Sequence, residues 1–204
     1  YGMTETGMLT SNPLEGHRRA GTVGLPLAGT EVIVTDPDSG TRLPRGETGM
    51  IEVRGPNVFK GYWRMPEKTA AELRPSGFFI TGDLGVIDED GYVTIVGRAK
   101  DLIISGGYNV YPREVETLID ALPGVVESAV IGLPHADFGE AVAAVVVPEA
   151  GAALSDDAVK AGIAPDLARY KQPKAVFFAE ALPRNAMGKV QKAALVERFG
   201  TTFV

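Results

Sequence analysis

"GYVTIVGRAKDLIISGGYNVYPREVE" runs from Gly91 to Glu116, and the residue pattern changes character inside it. On its N-terminal side, Leu84 to Arg98 reads as a β-hairpin, with Asp90-Gly91 supplying the turn. On its C-terminal side, "KDLIISGG" reads as a short strand ending at a glycine pair, and Pro112 suits the first turn of a helix. The chain has 204 residues, enough for one large domain or two small ones. The change from hairpin meander to mixed pattern places a boundary at "GRAKD", Gly97 to Asp101, giving domains 1–98 and 99–204.

Upstream of that boundary the chain reads as β-rich. Thr30 to Asp36 ("TEVIVTD") is a predicted strand closed by a "PDSG" turn. In "GMIEVRG", Ile51 and Val53 alternate with Glu52 and Arg54, the signature of a half-buried strand with the charges outside. Pro66 opens a predicted short helix that ends by Pro75-Ser76-Gly77. Downstream the pattern is α+β. Val115, Leu118, Ile119 and Leu122 share one helix face, stopped by Pro123-Gly124. "VVESAVIG" and "AVAAVVV" are buried-type strands, and Ser155 caps a helix carrying Val159, Ile163 and Leu167 that Pro165 should interrupt. "KAVFFA" is a further strand, and "VQKAALVERF" a last helix with Leu195 and Phe199 inward.

Composition excludes several classes. Acidic residues (26) outnumber Lys and Arg (20), giving a net charge of −6 and no basic stripe of the kind a nucleic-acid binder carries. There is no cysteine, hence no disulfide framework or thiolate chemistry. His17 and His135 make no metal-ligand spacing. No apolar run reaches the roughly 20 residues that span a bilayer, and no signal peptide is visible, so the expected location is the cytoplasm. "YGMTETGM" lacks an initiator methionine and reads as the interior of a longer chain.

Four stretches have residue types suited to chemistry. In "YGMTETG" a threonine hydroxyl on flexible backbone can donate to phosphate, and the carboxylate beside it can hold Mg²⁺; a turn with an N-cap threonine explains the run equally well. Asp83, behind the glycine of "FFITGDLG", can accept bonds from ribose hydroxyls or close an Asx turn. Gly106-Gly107 in "KDLIISGGYNVYP" permit close approach to a ligand or positive φ in a turn. In "LPRNAMGKVQK", Lys189 follows Gly188 in a loop. It is either an idle surface lysine or a compact cation delivered to developing negative charge.

These stretches occur together and in a fixed order. With "GETGMIEVRGPNVFKGYW" and "VVESAVIGLPHADFGEAVAAVVV" they make the chain resemble the adenylate-forming superfamily of acyl-CoA synthetases, luciferases and peptide-synthetase adenylation domains. The resemblance covers nearly the whole chain and corresponds to the C-terminal two-fifths of such an enzyme, "KDLIISGGYNVYP" pointing to the acyl-CoA synthetase branch. "YGMTETGM" followed by "SNPLEGHRRAGTVGLPLAG" is most similar to the malonate–CoA ligases.

The resemblance implies an α+β protein in two parts. Residues 1–98 would be the β-rich end of a large AMP-binding N-terminal domain, a distorted barrel, and 99–204 a small mobile C-terminal domain. It implies two half-reactions. Carboxylate and ATP give acyl-adenylate and pyrophosphate, and coenzyme A then displaces AMP, with malonate or methylmalonate as the carboxylate. Tyr1 and Gly2 would lie at the adenine, Thr4 at the phosphates, and Glu5 on Mg²⁺. Asp83, helped by Arg98, would hold the ribose, and Lys189 would bridge carboxylate and ATP. Lys100 would be the hinge of a domain rotation that brings Gly106 and Gly107 to the pantetheine of coenzyme A. The exposed Lys189 would also suit a lysine acetyltransferase and deacetylase, which would remove its charge.

The family's usual lysine motif is P-K-T-x-S-G-K, and here Arg184, Asn185 and Met187 replace its Lys, Thr and Ser. Those positions shape the loop and do not carry the charge. A phosphate loop and an acyl pocket are expected upstream of Tyr1, so residues 1–204 alone are expected not to adenylate. Two other readings stay open: a binding module without catalysis, and an adenylation domain that loads a carrier protein.

Overall fold

The computed structural model describes all residues, Tyr1–Val204, and they divide into two compact units, Tyr1–Lys100 and Asp101–Val204. In the first unit two short ribbons come first: β1 (Gly2–Met3) with β2 (Gly7–Met8), and β3 (Thr10–Ser11) with β4 (Leu25–Pro26). Then β5 (Glu31–Thr35), β6 (Gly49–Arg54), β7 (Phe79–Ile87) and β8 (Val93–Arg98) form an antiparallel meander in sequence order. Helix α1 (Pro66–Glu72) lies between β6 and β7 and starts on the expected proline. The β7–β8 turn closes through the amide of Gly91, which donates to Asp88 O, with φ of +89° at the glycine.

Leu9, Val32, Ile51, Val53, Phe79 and Val93 form the core of this unit. The expected distorted barrel does not close in these residues, because the four strands form an open sheet with β5 and β8 at its ends. The expected outward Glu52 is corrected too, since it is 1% exposed. Thr35 Oγ1 donates to its Oε1 at 2.7 Å, and Arg74 donates to both oxygens at 2.7 Å. A carboxylate with both oxygens hydrogen-bonded and its charge paired in this way can sit at an alternating position that faces inward.

In the second unit β9 (Ile103–Ser105) and β10 (Tyr108–Val110) are a hairpin, followed by α2 (Pro112–Asp120). The long strands β11 (Val125–His135) and β12 (Gly139–Pro148) pair antiparallel; β12 also meets β9, and β13 (Ala175–Phe178) runs parallel to it. Ala129–Leu133 of β11 and Ala141–Val147 of β12 are apolar on both faces because both are covered there. Val130, Val142, Ala144 and Val146 pack on Val115 and Ile119 of α2 and on Val159 and Ile163 of α3 (Asp156–Ile163). Ala129, Ile131, Ala143 and Val145 pack on Leu195 of α4 (Lys192–Phe199), where Phe199 stacks on Phe177 at 4.1 Å. Ser155 caps α3 by accepting the Ala158 amide, and the α-helix stops just before Pro165, as its missing N–H requires.

Candidate active site

In the first unit Tyr1 just ahead of β1, Asp83 in the middle of β7 and Arg98 at the end of β8 come together. Asp83 and Arg98 are directly opposed across the β7–β8 ladder, and Arg98 Nε reaches Asp83 Oδ1 at 2.7 Å. The Tyr1 hydroxyl donates to Asp83 Oδ2. The Asp83 amide donates to Thr81 Oγ1, whose own proton goes to Ile51 O, so the carboxylate is held on a fixed backbone. Asp83 is 4% exposed. Burial, then the bond to Asp83, pushes the Tyr1 hydroxyl well above the ordinary tyrosine value, so it stays protonated as a donor. The arrangement is a buried acceptor whose second oxygen is tuned by a half-exposed guanidinium.

Thr4 and Glu5 sit at the β1–β2 turn. Thr4 is exposed and its hydroxyl has no protein partner. A Cβ at Gly2 would fall 2.4 Å from Gly7 O, so this turn can close only with glycine there. Glu5 is half-buried, and its Oε1 lies 3.2 Å from the Tyr62 hydroxyl, which donates its proton at 2.6 Å to Glu72 of α1. Desolvation, then the bond to Glu72, raises the Tyr62 hydroxyl as well. With that single proton committed to Glu72, Glu5 keeps acceptor capacity for a cation. Tyr62 and Glu72 were missed in the sequence, since nothing in their spacing says that α1 folds back against the β1–β2 turn. Arg19 is no free carboxylate receptor: it pairs with Asp88 and with Asp90 at 2.7 Å. Lys100 is exposed in a 3-10 turn, Ala99–Asp101, and pairs with no acidic group.

In the second unit Gly106 and Gly107 form the two-residue β9–β10 turn, with φ of +59° and +82°. Both signs suit the turn type that matches strand twist, which only glycine adopts freely. The Gly106 amide donates to Phe138 O, and the tip is exposed. Lys189 lies in the bend between Arg184 and Val190, which face each other as an isolated bridge. It is exposed and no carboxylate pairs with it, so its ammonium is free. Burial pushes up the Tyr111 hydroxyl, just ahead of α2.

No group of three or more His, Asp or Glu side chains suited to a metal comes together. No helix is long and apolar enough to cross a membrane.

Comparison with known proteins gives these arrangements a family. Residues 1–63 match the AMP-binding enzyme family, and residues 114–189 match the AMP-binding enzyme C-terminal domain. The chain is 46% identical to the feruloyl-CoA synthase of Amycolatopsis sp, over 98% of the chain and 41% of that protein. It is 43% identical to the malonate–CoA ligase of Arabidopsis thaliana, over 96% of the chain and 33% of that protein. The crystal structure of ATP-bound MatB from Rhodopseudomonas palustris superposes with a TM-score of 0.96 at 62% identity, covering 100% of this chain and 41% of that one. The chain thus spans from a third to about two-fifths of the length of these relatives. With one match in each of its two units, and relatives alike along nearly its full length, the chain belongs to the AMP-binding enzyme family.

Proposed function

We propose that the full-length protein is an ATP-dependent acyl-CoA synthetase acting on malonate or methylmalonate. It would form an acyl-adenylate and then the acyl-CoA thioester. The observation that carries the reading is the Tyr1–Asp83–Arg98 cluster, a buried carboxylate in the middle of β7 opposed by the guanidinium that ends β8. In this reading Asp83 accepts the ribose hydroxyls, Arg98 fixes its orientation, and Tyr1 lies against the adenine. Thr4, with its hydroxyl unclaimed, donates to phosphate. Glu5 suits a Mg²⁺ ion that takes one or two protein carboxylate oxygens and completes its shell with phosphate and water. That ion would neutralise charge on the phosphates. The free Lys189 ammonium bridges the attacking carboxylate and the α-phosphate, stabilising charge that grows as the fifth oxygen approaches phosphorus. Lys100 is the hinge about which residues 99–204 turn, and the Gly106–Gly107 turn then lines the path of the pantetheine arm. The choice of a small diacid is supported by the likeness to a malonate–CoA ligase along 96% of the chain, and the feruloyl-CoA synthase, 46% identical, keeps an aryl acid as the competing substrate.

The test separates the two half-reactions. Lys189→Ala is expected to lower malonate-dependent ATP–pyrophosphate exchange by about 100-fold or more, while thioester formation from supplied malonyl-adenylate stays within about two-fold. Equal loss in both steps would remove the assigned role. Exchange driven by ferulate and not by malonate would remove the substrate.

A further inference from the structure

We propose that Asn185 and Arg184, with Glu127 behind them, are positioning residues that aim Lys189. The proposal rests on the reading of Lys189 given above. Asn185 Oδ1 accepts the amides of Met187 and Lys189, each at 3.0 Å. The Asn185 amide donates to Lys189 O at 2.9 Å, and Gly188 N donates to Asn185 O at 2.9 Å. Arg184 donates from one nitrogen to Gly188 O at 2.7 Å and from another to Glu127 on β11. The backbone N–H and C=O of Lys189 are therefore both claimed by Asn185. The carbonyl just before it is claimed by an arginine anchored on Glu127 of β11, a long outer strand of the sheet.

Two consequences follow. First, the base of the lysine is fixed, so only its own side-chain torsions are paid in bringing the ammonium to the reacting oxygens. Second, Arg184 occupies Glu127, the carboxylate that the fold sets against this bend, and so leaves the lysine unpaired. Arg184, Asn185 and Met187 are the positions where the chain departs from the P-K-T-x-S-G-K pattern. The departure is thus a different frame for the same cation. Arginine suits it because its planar fork serves a carbonyl and a carboxylate together, which lysine does only at the cost of that geometry. All three turn residues are exposed, so replacing them opens no cavity.

The test uses the full-length protein and measures both half-reactions. Asn185→Ala and Arg184→Lys are each expected to lower the kcat of adenylation by about tenfold, with the KM for ATP and the thioester step within about two-fold. Asn185→Asp, which keeps the acceptor for both amides, is expected to recover most of the rate. On a Lys189→Ala background, Asn185→Ala is expected to add no further loss, because it acts only through the lysine. The proposal is overturned if both single variants adenylate normally while Lys189→Ala does not. It is also overturned if their losses multiply with that of Lys189→Ala, or fall equally on both half-reactions. If Lys189→Ala itself adenylates normally, it is the underlying role of the lysine that fails.

Discussion

Glu116 offers a perturbation whose size follows from the structure. It lies on α2 with its side chain 9% exposed. Its Oε1 accepts the Val130 amide at 2.9 Å and Lys192 Nζ at 2.6 Å. β11 is an outer strand of its sheet, and Val130 is fully buried, so this amide has no strand to bond and no water to replace the carboxylate. Glu116→Ala strands a buried N–H, costing about 1–3 kcal/mol. The ion pair with Lys192, whose side chain is 21% exposed, adds about 1 kcal/mol after screening. The expected total is about 2–4 kcal/mol, or a fall in melting temperature on the order of 10 °C for a unit of this size. Glu116→Gln keeps an acceptor for both donors and should lose only about 1 kcal/mol, the charge-dependent part. Thermal unfolding by circular dichroism measures the difference, and exchange of the Val130 amide in deuterated solvent locates it. If Gln destabilises as much as Ala, or if Val130 exchanges no faster in the Ala variant, the capped-edge account is wrong.

Other outcomes follow from the same structure. Asp83→Ala should raise the KM for ATP by about 10- to 100-fold, the worth of a charged acceptor serving ribose hydroxyls; an unchanged KM would remove Asp83 from the nucleotide. Arg98→Ala should raise it less and cost about 1 kcal/mol or less in stability, because its side chain is 45% exposed. Of the six tyrosines, Tyr1, Tyr62 and Tyr111 should be the last to ionise in a spectrophotometric titration. Their folded values are raised, so the stability they contribute is complete below the ordinary tyrosine pKa of about 10 and lost as pH climbs beyond it. Ionisation of all six together would contradict the buried contacts.

What could be read from the sequence was what depends on neighbours along the chain. Pro66 and Pro112 begin helices because their rings favour first-turn geometry, and Pro165 ends one because it lacks an N–H. The runs in β11 and β12 announced burial on two faces by lacking any polar alternation. Glu52 shows the limit of that reasoning: alternation identifies two faces of a strand, and only the fold says that Thr35 and Arg74 cover the second. Tyr62 reaches Glu5 across 57 residues, and Arg184 reaches Glu127 across the same separation, so no local period encodes either contact.

The same distinction governs the candidate site. The charged residues could be named from motif order, since chemistry restricts which side chain can hold a ribose or bridge an oxyanion. Their supports could not, because a support needs only a donor or acceptor in the right place, and many residues supply one. Asn185 illustrates this. A side-chain oxygen that accepts two amides of the turn, those of Met187 and Lys189, serves whether an amide, a hydroxyl or a carboxylate presents it. Motif letters therefore vary at the frame while Gly188, at φ of +77°, and the cation after it admit no such choice. A departure from pattern next to a retained lysine is then a statement about how the lysine is held, and the hydrogen bonds around it say which residues now hold it.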